Sequence, residues 1–403
     1  MKIKISKGRA KGDILSPPSK SYAHRLLICS ALAEGNSKIK GISESKDMEA
    51  TLGCIRELGA ECVKNGDSVS VNGSKFKSCA ELNCYESGST LRFIIPVALI
   101  NEGSYTFFGS ERLFERGIGI YEEIFEKQSI KCEKTKTSIK VEGKLKPDTF
   151  YVRGDVSSQF ISGLLFALPL LDGDSKIIVT TKLESRSYID ITIDALKMFG
   201  VEIEYQENTF YIKGGQKYKS VDTTVEGDMS NSAFLDAFNY IGSSSLCVNV
   251  LGLNESSKQG DRVYKEYFEL LNSDKPTLDL TNCPDLGPIV FALAGVKHGA
   301  QIKGTKRLKI KESDRVGDMA LELSKFGIEV VDFGDSVSVN NKNLHPPVNE
   351  LDGHNDHRIV MALSVILTLF GGVINGCEAV AKSYPDFFEA ISSLGIKCEV
   401  LEK

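Results

Sequence analysis

In the stretch SPPSKSYAHR (16–25), Lys20, Ser21 and Arg25 follow two prolines closely. Such a cluster is either a solvated loop or a seat for a doubly charged anion. Comparable polar segments recur along the chain: ESGST (86–90), SSQ (157–159), NCPD (282–285) and GHNDHR (353–358). Each opens an apolar run that reads as a helix. The free amides and aligned peptide dipoles of a helix start attract anions, and serines there can donate as well. Ordinary capping explains any one of them. A series of polar openings in a repeated frame instead suggests helix starts that converge on one crevice.

The basic residues strengthen the anion reading. Lys20, Arg25, Arg92, Arg116, Lys311, Arg315, Arg358 and Lys382 lie in these openings or in the equivalent loops RLFERG, KIKESDR and AKSYPD. Arginine suits bidentate carboxylate capture, while lysine offers a compact charge and a transferable proton. Asp285, Glu312 and Asp314 interrupt this positive field. They are either caps and partners for the arginines or include a base that takes a proton from a substrate hydroxyl, with a nearby lysine making the opposite transfer.

Other chemistries lose support. The net charge of -5 argues against bulk affinity for nucleic acid or an anionic membrane, so any anion must be caught locally. GRAKGD and the later glycines match neither a phosphate loop nor a dinucleotide fingerprint. The two histidines of HNDH, with Asp between them and Arg after them, give no standard zinc pattern, and no metal is expected. The ten cysteines include no C-x-x-C pair and read as reduced thiols of a cytoplasmic protein. The opening MKIKISKGRAKGD lacks the apolar core of a signal peptide, and GLLFALPLL and RIVMALSVILTLF are too short to span a bilayer.

A frame for these residues emerges from repetition. With 403 residues, the chain exceeds the usual size of a single core. EATLGCIRELGAECVKNGDSVSVNG, ALKMFGVEIEYQENTFYIKG, MALELSKFGIEVVDFGDSVSVNN and FFEAISSLGIKCEVLEK each read as an amphipathic helix, a glycine and alternating strand residues. RGIGIYEEIFEKQSIKCEKTKTSIKVE is a copy lacking the glycine, and DRVYKEYFELLNSDKPTLDL is a copy whose strand is curtailed. Helix ends fall near residues 59, 129, 200, 273, 327 and 395, which predicts six units in two domains of three. Between them lie SYAHRLLICSALAEG, STLRFIIPVALIN, SSQFISGLLFALPLL, NSAFLDAFNYIG, PDLGPIVFALAGVK and DHRIVMALSVILTLFG, apolar over nearly their whole length and therefore expected to be buried.

PPSKSYAHR, ESGSTLRF, GDVSSQFISGLLFALPLL, SYIDIT, CPDLGPIVFALA, KESDR, NDHRIVMA and KSYPDFF, in this order, resemble the 3-phosphoshikimate 1-carboxyvinyltransferase family, the 5-enolpyruvylshikimate-3-phosphate synthases. The resemblance implies an α/β, two-domain enolpyruvyl transferase fold, an inside-out α/β barrel with three repeated helix-and-sheet units per domain and the site between the domains. Residues 1–13 and 226–403 are expected in the first domain and 14–225 in the second. It implies transfer of the carboxyvinyl group of phosphoenolpyruvate to the 5-hydroxyl of 3-phosphoshikimate through a tetrahedral ketal, with release of phosphate, by a monomer that needs no redox cofactor.

By the same resemblance, Lys20, Ser21, Arg25, Ser157, Ser158, Gln159, Ser185, Tyr188, Asp285 and Lys311 hold 3-phosphoshikimate. Phosphoenolpyruvate falls to Lys20, Gly88, Arg116, Gln159, Arg315, Arg358 and Lys382. Asp285 is the expected principal base, Glu312 its partner or alternate, and Lys382 the leading proton donor, with Lys20 bridging both substrates. Two positions depart from many relatives, which carry Asn where this chain has Glu86 and Arg307. An acid at 86 beside phosphoenolpyruvate requires pairing, and Arg307 could replace part of a lost amide donor. The alternatives are enolpyruvyl transfer to UDP-N-acetylglucosamine, disfavoured because GSERLFERG lacks the Cys or Asp usual in that family's catalytic loop, and a non-catalytic anion-binding protein.

Overall fold

The computed structural model describes residues 1–242 and 247–402. The chain forms two compact units, residues 1–17 with 227–403 and residues 18–226. The boundaries lie further along than the expected 13/14 and 225/226. The strand Gly12–Leu15 accounts for part of the difference, because it pairs in parallel with Val248–Leu251 and thereby belongs to the unit holding both termini.

The unit of residues 18–226 contains three four-stranded sheets of one design. In each, two parallel strands are followed by an antiparallel hairpin, as where Cys79–Asn83 runs parallel to Gly103–Phe108, which pairs with Ser138–Gly143 and then Lys131–Lys134. Alternation gives the inner strands one buried face, as in Ser138–Gly143, where Ile139 and Val141 point inward. The helices Lys46–Leu58, Gly119–Gln128 and Arg186–Met198 precede the hairpins and end where the sequence predicts. Where the repeat lacks its glycine, Ser129 itself takes the left-handed exit, at φ 59. Gly59 and Gly200 reach positive φ at the equivalent places without the steric cost that a side chain brings.

The other unit repeats the design twice and cuts it short once. Thr277–Asp279, Ala300–Lys303, Ser336–Asn341 and Ile328–Asp332 form one four-stranded sheet. A second closes on the N-terminus: Lys2–Ile5 lies between Gly372–Asn375 and Cys398–Glu402. The third is reduced to the pair Gly12–Leu15 and Val248–Leu251. The curtailed strand expected after residue 273 is thus reassigned. Thr277–Asp279 pairs with Ala300–Lys303 and opens the next sheet.

All six apolar runs are buried helices, three to a unit: Lys20–Leu32, Gly88–Ala98 and Ser158–Ala167, then Met229–Asp236, Gly287–Val296 and His357–Phe370. Gly163 allows two of them to approach closely, since a Cβ there would stand 2.3 Å from the Arg92 carbonyl oxygen. Among the described residues no helix is long and apolar enough to cross a membrane.

Candidate active site

Serine or aspartate caps open most of the buried helices. Ser19, Ser87, Ser157, Asp228 and Asp356 each accept a backbone N–H of the first turn. Local capping thereby fixes where the neighbouring Lys20, Gly88, Ser158 and Arg358 stand.

In the unit of residues 18–226, Arg25 is buried, with its guanidinium held by neutral oxygens. Its Nε donates to the Thr192 hydroxyl at 2.8 Å, Nη1 to the Ser21 carbonyl at 2.6 Å and Nη2 to the Tyr188 carbonyl at 2.9 Å. The guanidinium also lies 4.9 Å from the centre of the Phe93 ring, a cation–π arrangement. Burial pushes Arg25 down to about 10, so it stays charged at neutral pH. Lys20 reaches Asp47 at 2.9 Å. Ser157 caps its helix, Ser158 follows it and is buried, and Ser185 is buried in a left-handed conformation at φ 53 without making a capping bond. Such strain persists only where the surroundings over-determine it, and it clusters at active sites.

Arg92, which the sequence reading counted among the cations but gave no role, organises the neighbouring residues. It donates to Gln159 Oε1 at 2.7 Å and to the carbonyls of Arg116 and Gly117 at 3.1 and 3.2 Å. Gln159 in turn donates to the Ser89 hydroxyl at 2.9 Å. Arg92 thus ties the openings of two buried helices to the loop that carries Arg116. The Arg116 guanidinium stands 2.9 to 3.1 Å from where a Cβ on Gly88 would lie, so the missing side chain makes room for it. Behind this corner a buried chain of hydrogen bonds runs from His24 Nδ1 to Thr51 (2.7 Å), Thr90 (2.7 Å) and Ser87 (2.8 Å). Burial keeps His24 neutral, its proton affinity lowered further by Lys20 and Arg25.

In the unit of residues 1–17 and 227–403 the cations meet carboxylates. Arg315 donates through Nε to Asp356 at 2.8 Å, through Nη1 to Asp285 at 2.9 Å and through Nη2 to Glu312 at 2.8 Å. Arg358 donates through Nη2 to Asp285 and to the Ser230 hydroxyl, both at 3.0 Å. Lys311 lies 3.6 Å from Asp285. Burial pushes Lys311 down to about 8 and the neighbouring Asp285 resists that push. For Arg315 burial works the same way, but Asp356, Glu312 and Asp285 together outweigh it and raise its value. Lys382 donates to the Asn355 carbonyl at 2.6 Å.

The acids separate by role. Asp314 is a helix cap, accepting from the amides of Val316 and Gly317 at 3.1 Å each. Asp285 sits on the turn Pro284–Leu286 before a helix that has no side-chain cap, so its carboxylate goes to the guanidinium groups. Asp356 both caps His357–Phe370 and anchors Arg315, a double duty that its position beside Arg358 in NDHR did not reveal. Asp47 was likewise missed, because nothing local in KDMEA points to Lys20. Arg307 donates to the Thr281 carbonyl at 3.0 Å and adds positive charge near Lys311. The histidines of HNDH diverge: His354 contacts Asp318 and Glu322, while His357 is buried.

Residues 5–391 match the family described as EPSP synthase (3-phosphoshikimate 1-carboxyvinyltransferase). A curated relative from Clostridium kluyveri, named 3-phosphoshikimate 1-carboxyvinyltransferase, is 42% identical, the alignment covering 98% of this chain and 97% of that protein. Another of the same name from Clostridium novyi is also 42% identical, with the same coverage. Among solved structures, an EPSP synthase from Acinetobacter baumannii superposes with a TM-score of 0.78 at 22% identity, covering 99% of this chain and all of that one. The enolpyruvyl transferase NikO from Streptomyces tendae gives a TM-score of 0.75 at 15% identity, over 99% of this chain and 98% of that one, and shares the fold. The two repeated α/β units, with their capped buried helices, are therefore those of an enolpyruvyl transferase, and the chain belongs to the EPSP synthase family.

Proposed function

We propose that the protein transfers the carboxyvinyl group of phosphoenolpyruvate to the 5-hydroxyl of 3-phosphoshikimate, giving 5-enolpyruvylshikimate 3-phosphate and phosphate. Full-length similarity to curated relatives of that name supports the reaction. The observation that carries it to particular atoms is Asp285, a carboxylate held at once by Arg315, Arg358 and Lys311.

Arg25, Lys20, Ser21, Ser157, Ser158, Ser185, Tyr188 and Gln159 are assigned to 3-phosphoshikimate. A buried guanidinium that, among the described residues, is paired with no carboxylate gains most from a phosphate dianion. Lys20, Gly88, Arg116, Gln159, Arg315, Arg358 and Lys382 are assigned to phosphoenolpyruvate. Its carboxylate and phosphate compete with Asp285 for Arg315 and Arg358. Once they take those contacts, Asp285 loses cations that favour its ionised form and becomes a stronger base. It then accepts the 5-hydroxyl proton as the oxygen attacks C2 of phosphoenolpyruvate, while Lys382, with Glu312 as alternate, protonates the methylene carbon. The resulting ketal expels phosphate, and loss of a proton from the new methyl group restores the vinyl group, so each acid or base reverses its role. Lys311, pushed down to about 8, contacts the substrate's hydroxyl or carboxylate groups and is poised to move a proton near neutrality.

The protein is assigned to the cytoplasm as a monomer, and a dimer in analytical ultracentrifugation would correct the second assignment. The deciding experiment mixes purified protein with both substrates and follows released phosphate. Binding of both without release would favour the anion-binding alternative. Release only when UDP-N-acetylglucosamine replaces 3-phosphoshikimate would favour the sister reaction.

A further inference from the structure

His354 and Asn355 are consecutive residues with left-handed backbones, at φ 49 and 52. Side-chain-bearing residues hold that conformation only where their surroundings enforce it, Asn more readily than His. Here the enforcing contacts converge on His354. Its amide donates to Asp352 Oδ1 at 2.6 Å. Its ring lies between two carboxylates of the helix Arg315–Ser324: Nε2 is 3.0 Å from Glu322 Oε1 and Nδ1 is 3.4 Å from Asp318 Oδ1. The Glu322 side chain is 1% exposed and also accepts from Lys325 and from the Asp352 amide. Ionised carboxylates only accept, so a ring that faces one at each nitrogen satisfies both as imidazolium.

The residues that follow belong to the candidate active site. The Asn355 carbonyl receives the Lys382 ammonium, and Asp356 caps the helix carrying Arg358 and grips Arg315. We propose that His354, as imidazolium clamped between Asp318 and Glu322, is a positioning residue for carboxyvinyl transfer, holding the strained 354–355 turn so that the Asn355 carbonyl fixes Lys382. The proposal rests on the assignment of Lys382 to phosphoenolpyruvate.

The charges around the ring agree. The hydrogen bond to Glu322 raises the proton affinity of His354 most, Asp318 and Asp352 add to it, and burial opposes them. Lys325 partly balances Glu322, while burial, with Asp314 and Asp356, raises the proton affinity of Asp318 against the hydrogen bond from Ser313 and the charge of His354. A raised value means that the clamp is complete at lower pH and is lost as pH climbs through it. A neutral ring can then donate to only one of the two carboxylates.

Two measurements test this. In the unaltered protein, 15N NMR at about pH 6.5, where free imidazole is half charged, should show both ring nitrogens of His354 protonated in most molecules. His354→Asn keeps a residue that tolerates the turn but cannot reach both carboxylates. It should raise KM for phosphoenolpyruvate about tenfold, the scale of one charge-assisted hydrogen bond, leave 3-phosphoshikimate affinity within about twofold of the parent, and remove an alkaline ionisation from the kcat/KM profile for phosphoenolpyruvate. An unprotonated ring nitrogen at that pH, or a parental KM in the variant, overturns the proposal. Failure of the unaltered protein to release phosphate would instead defeat the transferase reading, and the NMR result would still decide the clamp.

Discussion

Arg25 and Arg315 are both almost wholly buried, yet their environments are opposite. Arg25 rests on a hydroxyl, two carbonyls and a phenyl ring, and burial lowers its proton affinity. Arg315 is surrounded by Asp285, Glu312 and Asp356, which raise it. The first arrangement leaves positive charge for a ligand to neutralise. The second balances its charge internally and keeps carboxylates beside cations, as proton transfer requires. One unit thus surrounds its buried arginine with neutral oxygens, as the proposed anion seat requires, and the other with carboxylates, as the proposed base requires.

The sharpest way to break this contrast is to remove the base. Asp285→Asn should lower kcat about a thousandfold, within the range of general base catalysis, while 3-phosphoshikimate binding by calorimetry changes little. Near-parental turnover would dismiss Asp285 from that role.

The next test compares the arginines through stability. Arg315→Met removes the cation that Asp285, Glu312 and Asp356 share and should cost about 3–5 kcal/mol of unfolding free energy. Arg25→Met removes a buried charge that has no carboxylate partner among the described residues, so urea unfolding should show unchanged or slightly greater stability. The same Arg25 variant should bind 3-phosphoshikimate about a hundredfold more weakly, as expected for a lost charge-assisted contact. Equal destabilisation of the two variants would erase the distinction drawn here.

A smaller effect is expected at Gly88, where an added methyl would press on the Arg116 guanidinium. Gly88→Ala should raise KM for phosphoenolpyruvate about tenfold through displacement of that one cation, and unchanged steady-state kinetics would count against it. The mildest prediction concerns pH. Because Lys311 is pushed down to about 8, it loses its proton as pH rises through that value, and 3-phosphoshikimate affinity should fall several-fold there. Its effect on stability has the opposite sign, since the folded state binds fewer protons than the unfolded chain above about 8 and gains stability as pH rises toward the ordinary lysine range. Lys311→Arg should abolish the affinity step, and its persistence would assign that ionisation elsewhere.

The repeat was legible because its signals are local: amphipathic helix, positive-φ exit and alternating hairpin lie within a few residues of one another. Even the absent glycine was visible, although not that Ser129 would take the same backbone conformation. The shortened repeat misled because a strand's residues do not name its partner, and Thr277–Asp279 pairs forward with Ala300–Lys303. Similarly, the closure of the last sheet by Lys2–Ile5 depends on strands at opposite ends of the chain.

The same division holds for the chemistry. Residue types, caps and buried helices follow from the amino-acid sequence, because capping and hydrophobic periodicity act over one or two turns. Glu312 is only three residues before Arg315, but the distant pairings do not follow in this way: Asp285 and Asp356 reach Arg315 from two other segments, and Arg25 meets Thr192 and Tyr188 from another helix. Only the packing of distant helices brings those charges within hydrogen-bonding distance. It thereby determines whether a buried arginine rests on neutral oxygens or on carboxylates.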